Sequence, residues 1–219
     1  LSVFKIQRSP LKIYYKQFVG NNIELLYDAT VDKHKALVNP DGFPYTSIKL
    51  SPTSTRILER QHHSVFEADP QFILKQIQLV CTKDIQFCEA SVSDTLVKGH
   101  KYHKVKLVDK QYKLESLQIV RKTTLIDLSK LHGVNYYSLV WFNKDLDVDS
   151  ELKPGDIVTI PSSYAKSFIL LIHPTEFTLR YVEVIDKNGV FEWFEYLEFK
   201  RNVTFSLDDF SSNNPNYNF

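Results

Sequence analysis

The chain has 219 residues, a net charge of +1, 43% apolar and 13% aromatic residues. Such a composition belongs to a packed globular protein and excludes a disordered one, and so small a charge leaves no electrostatic footprint for nucleic acid. No apolar run approaches the roughly 20 residues of a membrane helix; the longest, residues 168–172, is of strand length.

In chain order, residues 3–6, 11–18 and 23–27 are short β-friendly runs, broken by Ser9-Pro10 and by Gly20-Asn21-Asn22. Asn39-Pro40-Asp41-Gly42 is a turn signal. Residues 46–50 and 55–58 read as further strands around Pro52. Asp69-Pro70 opens a segment, 71–80, that suits helix and strand equally. Residues 92–97 and 102–108 flank Lys98-Gly99-His100 and predict a hairpin. Residues 1–110 are therefore expected to form a mainly β domain, a small sandwich or barrel. Cys81 and Cys88 could close a small loop disulfide, but two reduced, buried cysteines are the expectation.

The most specific stretch runs from 117 to 161. Leu117, Ile119 and Val120 form a short strand, ended by the polar Arg121-Lys122-Thr123. Thr124 can cap a helix, with Asp127 three residues on as a weak capping box. Leu125, Leu128 and Leu131 then recur on one helical face, and Gly133 supplies a left-handed stop. Asn135 can cap a second helix whose Tyr136, Leu139, Val140 and Phe142 are its buried side. Asn143 and the acidic stretch to Glu151 read as a loop. Pro154-Gly155 suits a type II turn, and Ile157, Val158 and Ile160 form a closing strand that Pro161 ends.

Over about residues 114–161 this order resembles the LysM module, a small βααβ unit. The resemblance implies recognition or assembly and no catalysis. In that family, glycans with N-acetylglucosamine units lie between the first strand–helix loop and the last helix–strand loop. On this chain those loops hold Arg121, Lys122, Thr123 and Thr124, and Asn143, Lys144, Asp145, Leu146 and Leu152. The family usually has Gly-Asp-Thr-Leu at the first loop; here Lys122-Thr123-Thr124-Leu125 keeps the Thr-Leu and lacks the Gly and the Asp. Trp141, Tyr136 and Tyr137 are candidate stacking residues, with helix core the preferred reading of Trp141.

Residues 168–172 and 177–185 read as strands, followed by a hairpin turn at Asp186-Lys187-Asn188-Gly189. Residues 190–199 are read as the returning strand, although Glu192, Glu195 and Glu198 also suit one exposed acidic face of a helix. The tail, 211–219, is rich in Ser and Asn, and order there would need a partner. The fold class expected is α+β: a mostly-β domain at 1–110, a central βααβ module at 111–162, a β-hairpin extension at 163–210 and a tail at 211–219.

Motif chemistry is sparse. The pairs His62-His63 and His100/His103 point to opposite faces of a strand and lack the spacing of a zinc site. Phosphate loops, Gly-x-Ser-x-Gly elbows and His-Glu-x-x-His motifs are absent from the sequence. No catalytic residue, metal or cofactor is expected. Asn202-Val203-Thr204 is a glycosylation sequon that matters only for a secreted chain. There is no Met, so the sequence starts after processing or lacks its first residues, and a removed targeting peptide stays open. The reading favoured is a non-enzymatic structural protein of a large assembly, such as a phage tail baseplate or a related injection machine, partnered by other subunits and located in a virion. The alternatives are a secreted binder of peptidoglycan or chitin oligomers and, third, an accessory subunit of an organellar complex.

Overall fold

The computed structural model describes all residues except 20–21, 41–46, 59–62, 84 and 149, and omits the side chains of 55, 56, 83 and 85. The turn signals at Gly20-Asn21 and Asp41-Gly42, the strand start at Thr46, and His62 lie outside the described residues. The chain divides into two compact units: residues 1–69 with 201–219, and residues 70–200.

The first unit is an antiparallel meander of β1 (Ser2–Arg8), β2 (Leu11–Gln17), β3 (Glu24–Asp28), β4 (Ala36–Asn39) and β5 (Ile48–Leu50), in that spatial order. Strand alternation gives each side of the sheet its own apolar set. On one side Ile13, Leu25, Tyr27 and Val38 pack with Ile57 and Val65. On the other, Tyr14 and Leu26 pack with Phe205, Phe210, Tyr217 and Phe219 of the C-terminal tail. The central β3 is therefore buried on both faces. The helical turn α1 (Thr55–Leu58) stands where a strand is predicted: Ser51-Pro52 turns the chain, and Ile57 and Leu58 are both buried. The tail is not without structure. A 3-10 turn at Leu207–Phe210 and the ring of Tyr217 seat it on the sheet of its own chain.

In the second unit, α2 (Pro70–Lys83) resolves the ambiguous segment as helix. Its Phe72, Ile73, Ile77 and Val80 pack on an antiparallel sheet of β6 (Cys88–Val97), β7 (His100–Asp109), β12 (Ser167–Ile172), β13 (Leu179–Asp186) and β14 (Gly189–Glu195), ordered β14-β13-β12-β7-β6. The hairpins predicted at 98–100 and 186–189 are both present. A disulfide joins Cys81 to Cys88, against the expectation of reduced thiols; the 3-10 turn Ile85–Phe87 reverses the chain and brings the two sulfurs together.

Between the neighbouring strands β7 and β12 the chain leaves the sheet for residues 114–161. It carries β8 (Leu114–Gln118), β9 (Thr123–Thr124), α3 (Leu125–His132), α4 (Tyr136–Phe142), β10 (Glu151–Leu152) and β11 (Ile157–Pro161). β8 pairs with β11 and β9 with β10, as two separate ladders. Leu125, Leu128, Val134, Leu139, Leu152, Val158 and Ile160 form the core of this excursion.

Two expectations are corrected. Among the described residues the chain is mostly β, with 40% strand and 18% helix in four sheets, and not α+β. A central βααβ module is not evident: the order here is ββααββ. Two-residue ladders such as β9–β10 are too short to produce an alternating pattern, so the polar Thr123 and the acidic loop end at Glu151 concealed them. Residues 163–195 continue the sheet begun by β6 and β7, because β12 pairs along β7 over six residue pairs. No helix among the described residues is long and apolar enough to cross a membrane.

Candidate functional site

The two candidate loops do meet. Thr123 and Thr124 pair with Leu152 and Glu151 in the β9–β10 ladder. Most of the nine candidate residues, however, serve the fold. Thr124 is the N-cap of α3: its Oγ1 accepts from the Asp127 N–H at 3.2 Å and donates to Asp127 Oδ2 at 3.0 Å. Leu152 is a fully buried core residue, and Leu146 packs partly buried against the same cluster.

Asn143 terminates α4 and pins it to β11. Its Nδ2 donates to the Leu139 carbonyl at 2.7 Å and to the Thr159 carbonyl at 2.8 Å. Its Oδ1 accepts from the Thr159 N–H at 2.8 Å. Both amide hydrogens are thus committed, and a ligand would have to break a pin to use them. Thr123 is half-buried in the ladder. Arg121, Lys122, Lys144 and Asp145 remain at the surface. Lys122 bridges to Glu151 at 2.8 Å, an exposed pair of small energetic weight.

The aromatics separate. Tyr136 is buried and Tyr137 half-buried, ring edge against ring face at 6.5 Å. Trp141 is 55% exposed, which corrects its assignment to the helix core. Leu131, counted on the apolar face of α3, is 71% exposed. Val120 and Ile157 are also largely exposed, so the excursion shows solvent several large apolar side chains. α3 is short, and its last turn has passed beyond the core that Leu125 and Leu128 fill.

Of the four carboxylates buried among the described residues, two are glutamates whose burial sequence reasoning missed. Glu24, alone within Ile23–Tyr27, is 1% exposed. Its Oε1 accepts from the Tyr14 hydroxyl at 2.7 Å; its Oε2 accepts from the Asn218 N–H at 3.1 Å and faces Lys16 Nζ at 3.4 Å. Asn39 donates from its side chain to the Asn218 carbonyl. Burial, reinforced by Glu24, pushes the Tyr14 hydroxyl far above the ordinary tyrosine range, so it stays a donor. Lys16, Glu24, Asn39 and Asn218 also line a small cavity of about 210 Å³. A lone Glu inside an apolar run was the signal that could have marked this position.

The second is Glu192, which is buried on β14 and accepts from the Tyr164 hydroxyl at 2.9 Å. Glu195 and Glu198 face solvent beside Lys98 and Lys200. The three glutamates are therefore not one acidic face, because they lie on a strand and its continuation and not on a helix. Of the histidines, His103 pairs across the hairpin with Asp94 at 2.7 Å. Among the described residues no three His, Cys, Asp or Glu side chains are grouped to hold a metal.

The comparisons with known proteins add no relative: no family model, no curated protein and no solved structure matches this chain.

Proposed function

We propose that this chain is a non-enzymatic structural protein that docks within a larger protein assembly through residues 114–161, in the setting of a phage tail baseplate or a related injection machine. The setting rests on the sequence resemblance of that stretch to LysM. The observation that carries the docking reading is the contrast within the excursion. Two of the polar groups a glycan groove would use are committed, to a cap at Thr124 and a pin at Asn143. Large apolar side chains of the same stretch, Leu131 at 71% and Trp141 at 55%, are left exposed. Such residues form the buried centre of protein interfaces. One observation favours glycan binding as the second reading: an exposed Trp is a stacking platform for a sugar ring.

Calorimetric titration of the full chain with chitin and peptidoglycan oligomers separates the two. The expected result is no heat of binding. A micromolar dissociation constant that Trp141→Ala abolishes would replace docking by glycan recognition.

A further inference from the structure

The edge strands of the two larger sheets are not alike. β1 carries Lys5 and Arg8, β5 has three residues, and β14 faces a register shift between Val184 and Ile185. Charges, shortness and irregularity of this kind keep an edge from pairing with another chain. β6 is guarded least: it is neither short nor irregular, and its only charges are two carboxylates, Glu89 and Asp94. It runs for ten residues, CEASVSDTLV, with neither Lys, Arg nor Pro, and its register with β7 is unbroken over ten pairs. Its side chains are exposed on both faces apart from the half-buried Cys88 and Thr95.

The hairpin decides which backbone groups are free to pair. Lys98 and Gly99 both have positive φ, 51° and 81°, so the loop is a two-residue turn and Val97 and His100 flank it as a hydrogen-bonded pair. Alternation then directs the N–H and C=O groups of Leu96, Asp94, Val92, Ala90 and Cys88 away from β7, towards the open edge. Val92 and Leu96, exposed at 69% and 67%, stand on the face that Leu107, Val105, Phe168 and Leu170 share through the strand register. The apolar side of the sheet thus runs on past its last buried residues into solvent.

We infer that the outer edge of β6 pairs with β6 of a second copy of this chain, antiparallel about a two-fold axis at Val92. The charges of the strand fit this occupant. Its carboxylates, Glu89 and Asp94, are five residues apart and so lie on opposite faces. In the register centred on Val92, Ala90 stands opposite Asp94, Ser91 opposite Ser93, Glu89 opposite Thr95, and Val92 opposite itself. No carboxylate meets another, whereas a register centred on Asp94 would oppose two like charges. The pairing is isologous, and each strand is already formed, so little ordering entropy is lost. It would join two five-stranded sheets into one of ten. This surface is independent of residues 114–161.

Sedimentation equilibrium of the full chain, from below 1 µM to about 100 µM, tests it. The mass is expected to rise from 25.6 kDa towards twice that value. Val92→Lys sets two ammonium groups against each other at the axis and is expected to weaken the dimer about tenfold or more. Should that variant not fold, Val92→Cys under mild oxidation is expected to give a covalent dimer, and Glu89→Cys, off the axis, none. A chain monomeric across the range, a dimer indifferent to Val92→Lys, or a monomer that instead takes up an extended peptide of another protein would each overturn the inference.

Discussion

Asn143 is the residue whose role turned most between sequence and structure. As the first residue of an acidic loop it was a candidate ligand; in the fold it spends both amide hydrogens and its oxygen on Leu139 and Thr159. Asn143→Ala leaves two carbonyls and one N–H of a half-buried site without their partner. At roughly 1 kcal/mol for a typical net hydrogen bond, the loss should be about 2–3 kcal/mol, read as a lower midpoint in urea unfolding of the second unit. Asn143→Asp keeps the acceptor for the Thr159 N–H but sets a carboxylate oxygen against the Leu139 and Thr159 carbonyls, so it should recover none of that stability. Thr124 and Gly133 were readable from sequence because their roles are local. A cap bonds within its own first turn, and Gly133, at φ 66°, sits in the left-handed region that a residue without Cβ enters at least cost. The partner of Asn143 on β11 is 16 residues away and left no local trace.

At the scale of elements, the tail is the instructive case. Ser211–Phe219 has no periodicity, and by itself it buries too little to order. It is held because Tyr217 stacks on Tyr14 at 3.8 Å and 9°, and because Lys5 Nζ reaches both Asp209 Oδ1 at 2.7 Å and the Tyr217 hydroxyl at 3.2 Å. Lys5 holds the Asp209 carboxyl below its ordinary range. Partial burial opposes the Lys5 ammonium, but Asp209 and Tyr217 outweigh it and raise its pKa. The signs set a window. The Asp209 contribution is complete above its unfolded value of about 4 and is lost as pH falls through the lowered pKa; the Lys5 contribution is complete below about 10 and is lost as pH rises through the raised one. Relative to the intrinsic rate at each pH, hydrogen exchange at the Tyr217 and Asn218 amides should therefore be slowest between those limits and accelerate beyond either. Tyr217→Ala should speed it throughout, and unchanged exchange in that variant would contradict the clasp.

At the scale of the molecule, the chain is nested. The second unit is inserted into the first, between residues 69 and 201, and the excursion 114–161 is inserted into the sheet of the second. Insertion leaves residues 70–200 with a continuous sheet, its helix and a disulfide, and this piece is expected to melt cooperatively when made alone. Residues 1–69 without the tail lose the cover of Tyr14, Leu26 and Glu24, and are expected to bind a hydrophobic dye and to show no cooperative melt. Adding residues 200–219 as a separate peptide should restore part of the protection. Two equally cooperative pieces would show that the tail is dispensable.

What the sequence determined by itself was local: both hairpin turns, the caps of α3 and α4, and the strands on either side of Gly189. Each follows from the φ, hydrogen-bonding or alternation rule of a few adjacent residues. What only the tertiary structure decided was non-local. β12 lies along β7 across the whole excursion, the tail returns to the first sheet, Glu24 and Glu192 are buried against tyrosines, and the nine candidate residues divide into core, cap, pin and surface. Those outcomes depend on which apolar faces meet, and a chain records that meeting only as composition, because the residues that meet are far apart along it.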